Sequence, residues 1–185
     1  HNAKNRILRF SDDNFGIIKH DVEVAKYIRN CFDKYKYPAA LKVYSAKKQN
    51  DRIREVGLIL KPLMTYCVSF QTTTPKVLKE TIRVSATHKE AVESINYARK
   101  NGMSTATELI FGLPGETLES WKEVINNTLS YGFDSVIMNP LWLLKGSDLN
   151  QASAREANQY VSKFMVAENA VTQYEDFISV ERDEI

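Results

Sequence analysis

No apolar run in this 185-residue chain approaches the ~18 residues that a membrane span requires. The N-terminus also lacks the apolar stretch of a signal peptide, so a cytoplasmic protein with no membrane span is the expectation. Cysteine is scarce: Cys31 falls on a helix pattern and Cys67 in a strand pattern, which suits reduced buried thiols and excludes a disulfide framework. Charge of one sign is lacking too. Lys plus Arg number 25 against 23 Asp plus Glu, a net of +2 with the signs interspersed, so no strong field exists to attract nucleic acid or an anionic membrane. Low-complexity segments and linker-like composition shifts are absent. Neither G-x-x-x-x-G-K-[ST] nor G-x-G-x-x-G occurs, and there is no G-x-S-x-G elbow, which argues against nucleotide-loop and α/β-hydrolase chemistry. His20 and His88 have no metal-ligand partner at i+4 and no CxxC nearby, so no metal site is read from them.

What is present is a core-forming composition, 43% hydrophobic with 26% charged, distributed in a strand-then-helix rhythm. Strand patterns lie at 6–11, 39–46, 65–72, 105–112 and 134–144, with centres near Phe10, Val43, Phe70, Leu109 and Val136, spaced 27 to 39 residues apart. Between them run amphipathic helices. The clearest begins at Thr87, with Glu90 as capping-box partner and Gly102 as the stop; another runs from Thr117 to Gly132. Alternation at this period predicts an α/β fold with a parallel sheet and outer helices. After Leu149 the chain turns polar, and a C-terminal helical extension over 151–185 is expected beyond a main domain of 1–150.

In such folds the ligand lies at the C-terminal ends of the strands. The polar groups expected there are Asp12, Asp13 and Asn14, Ser45 and Lys47, Ser69, Gln71 and Thr72, Glu108, and Asn139. Two glycines in "IFGLPGET" (110–117) let backbone come close to a ligand, and a helix N-terminus follows; the same residues also suit a plain strand-to-helix turn. Gln71 directly follows an apolar strand, where unpaired amide groups would be costly. Arg83, twelve residues on, offers a fork of donors suited to a carboxylate.

Together "RFSDDNF", "VSFQTTTPKVLKETIR" and "ARKNGMSTATELIFGLPGETLESW" resemble consecutive segments of the radical S-adenosylmethionine superfamily barrel, over roughly residues 6 to 150, and particularly its cobalamin-binding branch. The resemblance implies a partial (β/α) TIM-like barrel in which the five strands here are strands two to six of a (β/α)6 barrel. Strand one and the CxxxCxxC loop that ligates the four-iron four-sulfur cluster have no counterpart here; Cys31 and Cys67 stand 36 residues apart. The resemblance further implies S-adenosylmethionine contacts by Gln71, Arg83, Glu108, Ser69 and Ser45, with Ile110 and the Gly112 backbone against the adenine. Asp12, Asp13 and Asn139 are left to face a small-molecule substrate. The implied activity is generation of a 5′-deoxyadenosyl radical for carbon-centred chemistry, such as cobalamin-dependent methyl transfer or ring formation. The 185 residues alone are expected to be inactive, the cluster loop and the cobalamin domain belonging to a missing N-terminal part, and self-association is expected through an exposed edge strand at 6–11. The alternative is a non-catalytic α/β module that binds a small molecule or another subunit.

Overall fold

A computed structural model describes residues 6–12, 14–44, 51–81, 86–173 and 178–184. Five strands, β1 (Ile7–Arg9), β2 (Ala40–Lys42), β3 (Tyr66–Cys67), β4 (Thr105–Phe111) and β5 (Ser135–Pro140), all run parallel. They form a β1-β2 pair and a β3-β4-β5 sheet with β4 in the middle. No ladder joins the two sets among the described residues. A single bond from the Leu41 N–H to the Leu63 carbonyl, 2.7 Å, ties β2 to the chain just before β3. This is the expected parallel α/β arrangement.

Helices fill the crossovers: α1 (Lys19–Tyr35), α2 (Asp51–Leu60), α3 (Pro75–Glu80), α4 (His88–Lys100) and α5 (Leu118–Tyr131). Their ends are written locally. Thr87 and Glu90 bond reciprocally at the start of α4, the Glu90 carboxylate accepting from the Thr87 N–H at 2.7 Å. Thr117 and Ser120 do the same for α5, which stops at Gly132 with φ +77°. At the start of α1 the buried Asp21 carboxylate accepts from the Gly16 and Ile18 N–H groups at 2.8 and 3.1 Å.

Two apolar clusters hold these layers. One packs Tyr66, Val68, Phe70 and Leu109 against Ala91, Ala98 and Val124 of the helices; the other packs Leu41 against Val22, Ala25 and Ile28 of α1. Helix α2 serves both, with Ile53 in the first and Val56 and Leu60 in the second. A Cβ on its Gly57 would lie 3.1 Å from the Tyr66 ring, so glycine lets the strand pack directly on the helix backbone. At the foot of the sheet, Asp134 accepts from the Thr105 N–H at 2.7 Å and hydroxyl at 2.8 Å, which holds its carboxyl below the usual range.

Two expectations need revision. The stretch 151–185 is not wholly helical: one short helix, α6 (Ala152–Asn158), gives way to an antiparallel ribbon of β6 (Phe164–Gln173) and β7 (Ile178–Glu184). Only Ile178 and Val180 of β7 alternate with polar neighbours; β6 carries no period of two, so the residue pattern holds no clear strand signal there. The strand expected over 65–72 keeps ladder pairing only at Tyr66–Cys67 before an irregular end. From Cys67 to Gln71 the chain spends four residues while β4 spends three between Ala106 and Leu109, and Gln71 takes the extra turn with φ +65°. None of the helices described is long and apolar enough to cross a membrane.

Candidate functional site

The chain leaving β3 rejoins the C-terminal half of β4 at Gln71, with β5 on the far side of β4. The Gln71 N–H donates to the Glu108 carbonyl at 2.8 Å and its own carbonyl accepts from the Ile110 N–H at 2.7 Å, so the bulged residue is clamped to β4 on both sides. A left-handed conformation in a residue other than glycine costs free energy, and such positions concentrate where a structure has a use for them. The two-residue alternation of an extended strand does not run through this bulge from Ser69 to Gln71. It does hold up to Phe70: Tyr66, Val68 and Phe70 are buried on the helix side, while Cys67 and Ser69 are half-buried between them.

On β4 the same alternation puts Leu109 in the helix-side core and leaves Glu108 and Ile110 half-buried. Burial pushes the Glu108 carboxyl above its ordinary value. The Cys67 thiol is pushed up to about 12, first by burial and then by the negative charge of Glu108. Among the described residues no donor meets the Glu108 carboxylate. Ile110 is level with Asn139 of β5, itself half-buried. Glu108, Ile110, Asn139 and the Gly112 backbone at φ +83° thus line one stretch of adjoining strand ends.

A second group ties the loops above these ends. Glu116 accepts from the Thr72 hydroxyl at 3.2 Å, the Thr74 hydroxyl at 2.9 Å and the Ser120 hydroxyl at 2.5 Å. The loop after β3, the turn after β4 and the start of α5 therefore converge on one carboxylate. Beside it Gly115 has φ +78°, and a Cβ there would fall 2.0 Å from the Glu80 Oε2 at the end of α3. The sequence pointed to the glycines of this turn and to Thr72 at the strand end, but not to Glu116 or Thr74; the only signal for Glu116 was an acid immediately before the N-cap Thr117.

Asp12 is exposed and its Oδ1 accepts from the Asn14 N–H at 2.8 Å, so it shapes its own turn. Asp13, Ser45 and Arg83 lie outside the described residues. Beyond β4 and β5, a cavity of about 260 Å³ opens between Phe111, Gly112, Leu141 and Leu143 on one side and Tyr160 and Lys163 on the other.

Cys31 sits on α1 and Cys67 on β3, and no cluster of three or more His, Cys, Asp or Glu suited to a metal occurs among the described residues. The thiolates of this chain therefore do not fit a four-iron cluster. An unpaired, half-buried carboxylate beside apolar Ile110 and an approachable glycine backbone does fit a ligand with hydroxyl or amino donors and a flat apolar ring.

Residues 43–127 match the family model of the Radical SAM superfamily. The chain is 30% identical over 145 residues to the cobalamin-dependent radical SAM methyltransferase TokK of Streptomyces tokunonensis, covering 75% of this chain and 21% of that protein. It is 32% identical over 126 residues to the 2-(S-pantetheinyl)-carbapenam-3-carboxylate methyltransferase of Streptantibioticus cattleyicolor, covering 65% and 18%. It thus spans about a fifth of the length of these relatives. Its fold is like that of the radical S-adenosylmethionine methyltransferase TsrM from Kitasatospora setae, solved with cobalamin and a 4Fe-4S cluster bound, at a TM-score of 0.55 and 19% identity over 72% of this chain and 25% of that one.

Proposed function

We propose, since residues 43–127 belong to the radical SAM superfamily in its cobalamin-dependent branch, that this chain forms one wall of an S-adenosylmethionine site in an enzyme of radical methyl transfer. The division into a barrel portion, 1–150, and a following extension, 151–185, is part of this reading, as is a cytoplasmic location. When bound, S-adenosylmethionine with a reduced four-iron cluster supplies a 5′-deoxyadenosyl radical, and cobalamin on a separate domain supplies a methyl carrier. The cluster's ligands are proposed to lie on polypeptide outside these 185 residues, because the two thiols here cannot provide them.

The chain's own residues bind, orient and exclude water. Glu108 accepts hydrogen bonds from the cofactor's amino group or ribose hydroxyls. The observation that carries this is its half-buried carboxyl, raised by burial and unmatched by any described donor. Gln71, bracketed by two backbone bonds to β4, presents its amide at the same level. Ile110 and the Gly112 backbone flank the adenine, Ser69 and Ser45 add polar contacts, and the Arg83 fork pairs with the methionine carboxylate. Asp12, Asp13 and Asn139 face a small-molecule substrate. Closing the site keeps water from the radical. The outer edge of β1, which carries no ladder among the described residues, is open to a second copy.

The test is the cofactor's equilibrium affinity, measured by calorimetry with S-adenosylhomocysteine so that no turnover is needed. Arg83→Ala and Glu108→Ala should each weaken it by about 2 kcal/mol, and Arg83→Lys should restore part of the loss. Unchanged affinity in both alanine variants would overturn the assignment.

A further inference from the structure

The face of the strands opposite the helices carries one charge arrangement that the proposed cofactor contacts do not use. Leu8, Phe10, Leu41 and Val43 pack into the helix-side core, so strand alternation turns Arg9 and Lys42 the other way. Because α2 serves both apolar clusters, this is the same face that carries Glu108 on β4. Arg9 and Lys42 are register partners in the parallel β1-β2 pair, and each is the last residue of its strand, the end at which an α/β fold places its ligand. Backbone bonds fix this level from both sides: the Phe10 N–H donates to the Lys42 carbonyl at 3.0 Å, and the Ala39 N–H to the Arg6 carbonyl at 2.8 Å.

We infer, on the premise that these strand ends belong to the cofactor and substrate site proposed above, that Arg9 and Lys42 form a subsite for an oxyanion of the substrate, a carboxylate or a phosphate monoester joined to an apolar body.

Charge and geometry carry the inference. Neighbouring strands run about 5 Å apart, so like charges at partnered positions repel unless an anion lies between them. Neither cation has an ion pair among the described residues, and the nearby carboxylates are engaged elsewhere. Asp12 accepts from the Asn14 N–H, Asp21 from the Gly16 and Ile18 N–H groups, and Asp33 pairs with Arg29 at 2.9 Å. Both cationic side chains are exposed and therefore open to a ligand. A planar guanidinium fork beside an ammonium point charge matches an oxyanion, the fork taking two oxygens and the ammonium completing the charge.

The flanking residues on this face specify the rest of the ligand. Ile7, 45% exposed, stands two residues before Arg9; Tyr44, 46% exposed, stands two beyond Lys42, with Val43 between them still in the core. Apolar surface left open on either side of a cation pair favours an anion with an apolar body over a free inorganic ion.

The test uses the 185-residue chain labelled with nitrogen-15 and three probes of equal carbon count, hexanoate, hexyl phosphate and hexanol, with dissociation constants from NMR shift titration. At least one of the two acids should bind saturably and several-fold tighter than the alcohol, shifting the Arg9 and Lys42 amides; the tighter acid identifies the substrate's group. Arg9→Gln and Lys42→Gln should each weaken that acid about threefold to fivefold, and the double variant should bring it down to the level of the alcohol. A thermal melt of the double variant should match that of the parent, since both side chains are exposed. Its affinity for S-adenosylhomocysteine should also be unchanged. Absence of saturable binding by either acid, or an acid affinity indifferent to the double variant, would overturn the inference. So would a parallel loss of S-adenosylhomocysteine affinity, because the pair would then hold the cofactor's carboxylate in place of Arg83. S-adenosylhomocysteine binding that ignores Arg83 and Glu108, with the acid still lost in the double variant, would sink the cofactor reading and leave the oxyanion subsite standing.

Discussion

The Thr74 hydroxyl donates to Glu116 Oε1 over 2.9 Å, joining the N-cap of α3 to the turn after β4 across 42 residues of chain. With Thr72 and Ser120 on the same carboxylate, Glu116 holds the two loops that frame the strand ends. Glu116→Ala leaves the Thr72 and Thr74 hydroxyls without their acceptor, while Ser120 keeps the Thr117 carbonyl, and should destabilise the chain by about 2 kcal/mol, a fall of about 4–8 °C in Tm for a domain of this size. A thermal-melt double-mutant cycle with Thr74→Val should give a coupling of about 1 kcal/mol. Strictly additive losses would show that the contact contributes nothing.

Gly115 combines a positive φ with an adjacent carboxylate. Gly115→Ala should cost about 1–2 kcal/mol from the left-handed backbone, on top of displacing Glu80. Pairing it with Glu80→Ala removes the steric part alone. Denaturant titration should therefore show a partial recovery, and full recovery would mean that the backbone is not strained.

Glu108 and Cys67 each give up their proton less readily when folded than when unfolded, since burial raises both. For such a group the native state binds more protons above the unfolded value, so its contribution to stability is complete at lower pH and is lost as pH rises. For Glu108 the loss begins near its ordinary 4.5, so Glu108→Gln should raise Tm at pH 7, with the advantage shrinking toward pH 4. A Tm difference that is the same at both pH values would contradict this.

For Cys67 the loss runs from about 9 to about 12. At pH 8 the native thiol should resist iodoacetamide while guanidinium-unfolded chain is alkylated completely, as read by peptide mass spectrometry. Rapid native labelling at Cys67 would show that the thiol is neither buried nor raised.

Anaerobic reconstitution of these 185 residues with iron and sulfide should yield no stoichiometric 4Fe-4S cluster, because two thiols on separate elements cannot replace a three-cysteine loop. Iron and sulfide analysis approaching four of each per chain, with matching absorbance, would refute it.

Much of the fold was legible because its signals are local. The Thr87-Glu90 box, the Thr117 cap and the Gly132 stop need only neighbours within one helical turn, and the strand-to-helix period leaves parallel pairing as the economical solution. The end of β3 was not legible. Nothing in "SFQTT" announces a left-handed Gln71, since a residue that is not glycine takes that conformation only when surrounding contacts, here two backbone bonds to β4, outweigh its cost. The C-terminal ribbon was missed for a different reason: mixed polar and apolar composition suits a helix and a two-stranded ribbon equally, and only the pairing of β6 with β7 decides between them.

The sequence by itself determined the alternation of strands and helices, the absence of a cysteine triad, and the position of the glycine turn after β4, all properties of residue type and short spacing. Tertiary structure alone decided which groups meet. Glu108 raises the Cys67 thiol, and Glu116 gathers Thr72 and Thr74, only because parallel crossovers bring β3 and β4 side by side, 39 residues apart at Val68 and Thr107, whose hydroxyl donates to the Val68 carbonyl at 2.7 Å. Which strand lies next to which depends on closing loops of that length against the packing of a shared core, a balance of chain entropy and burial that no local pattern encodes.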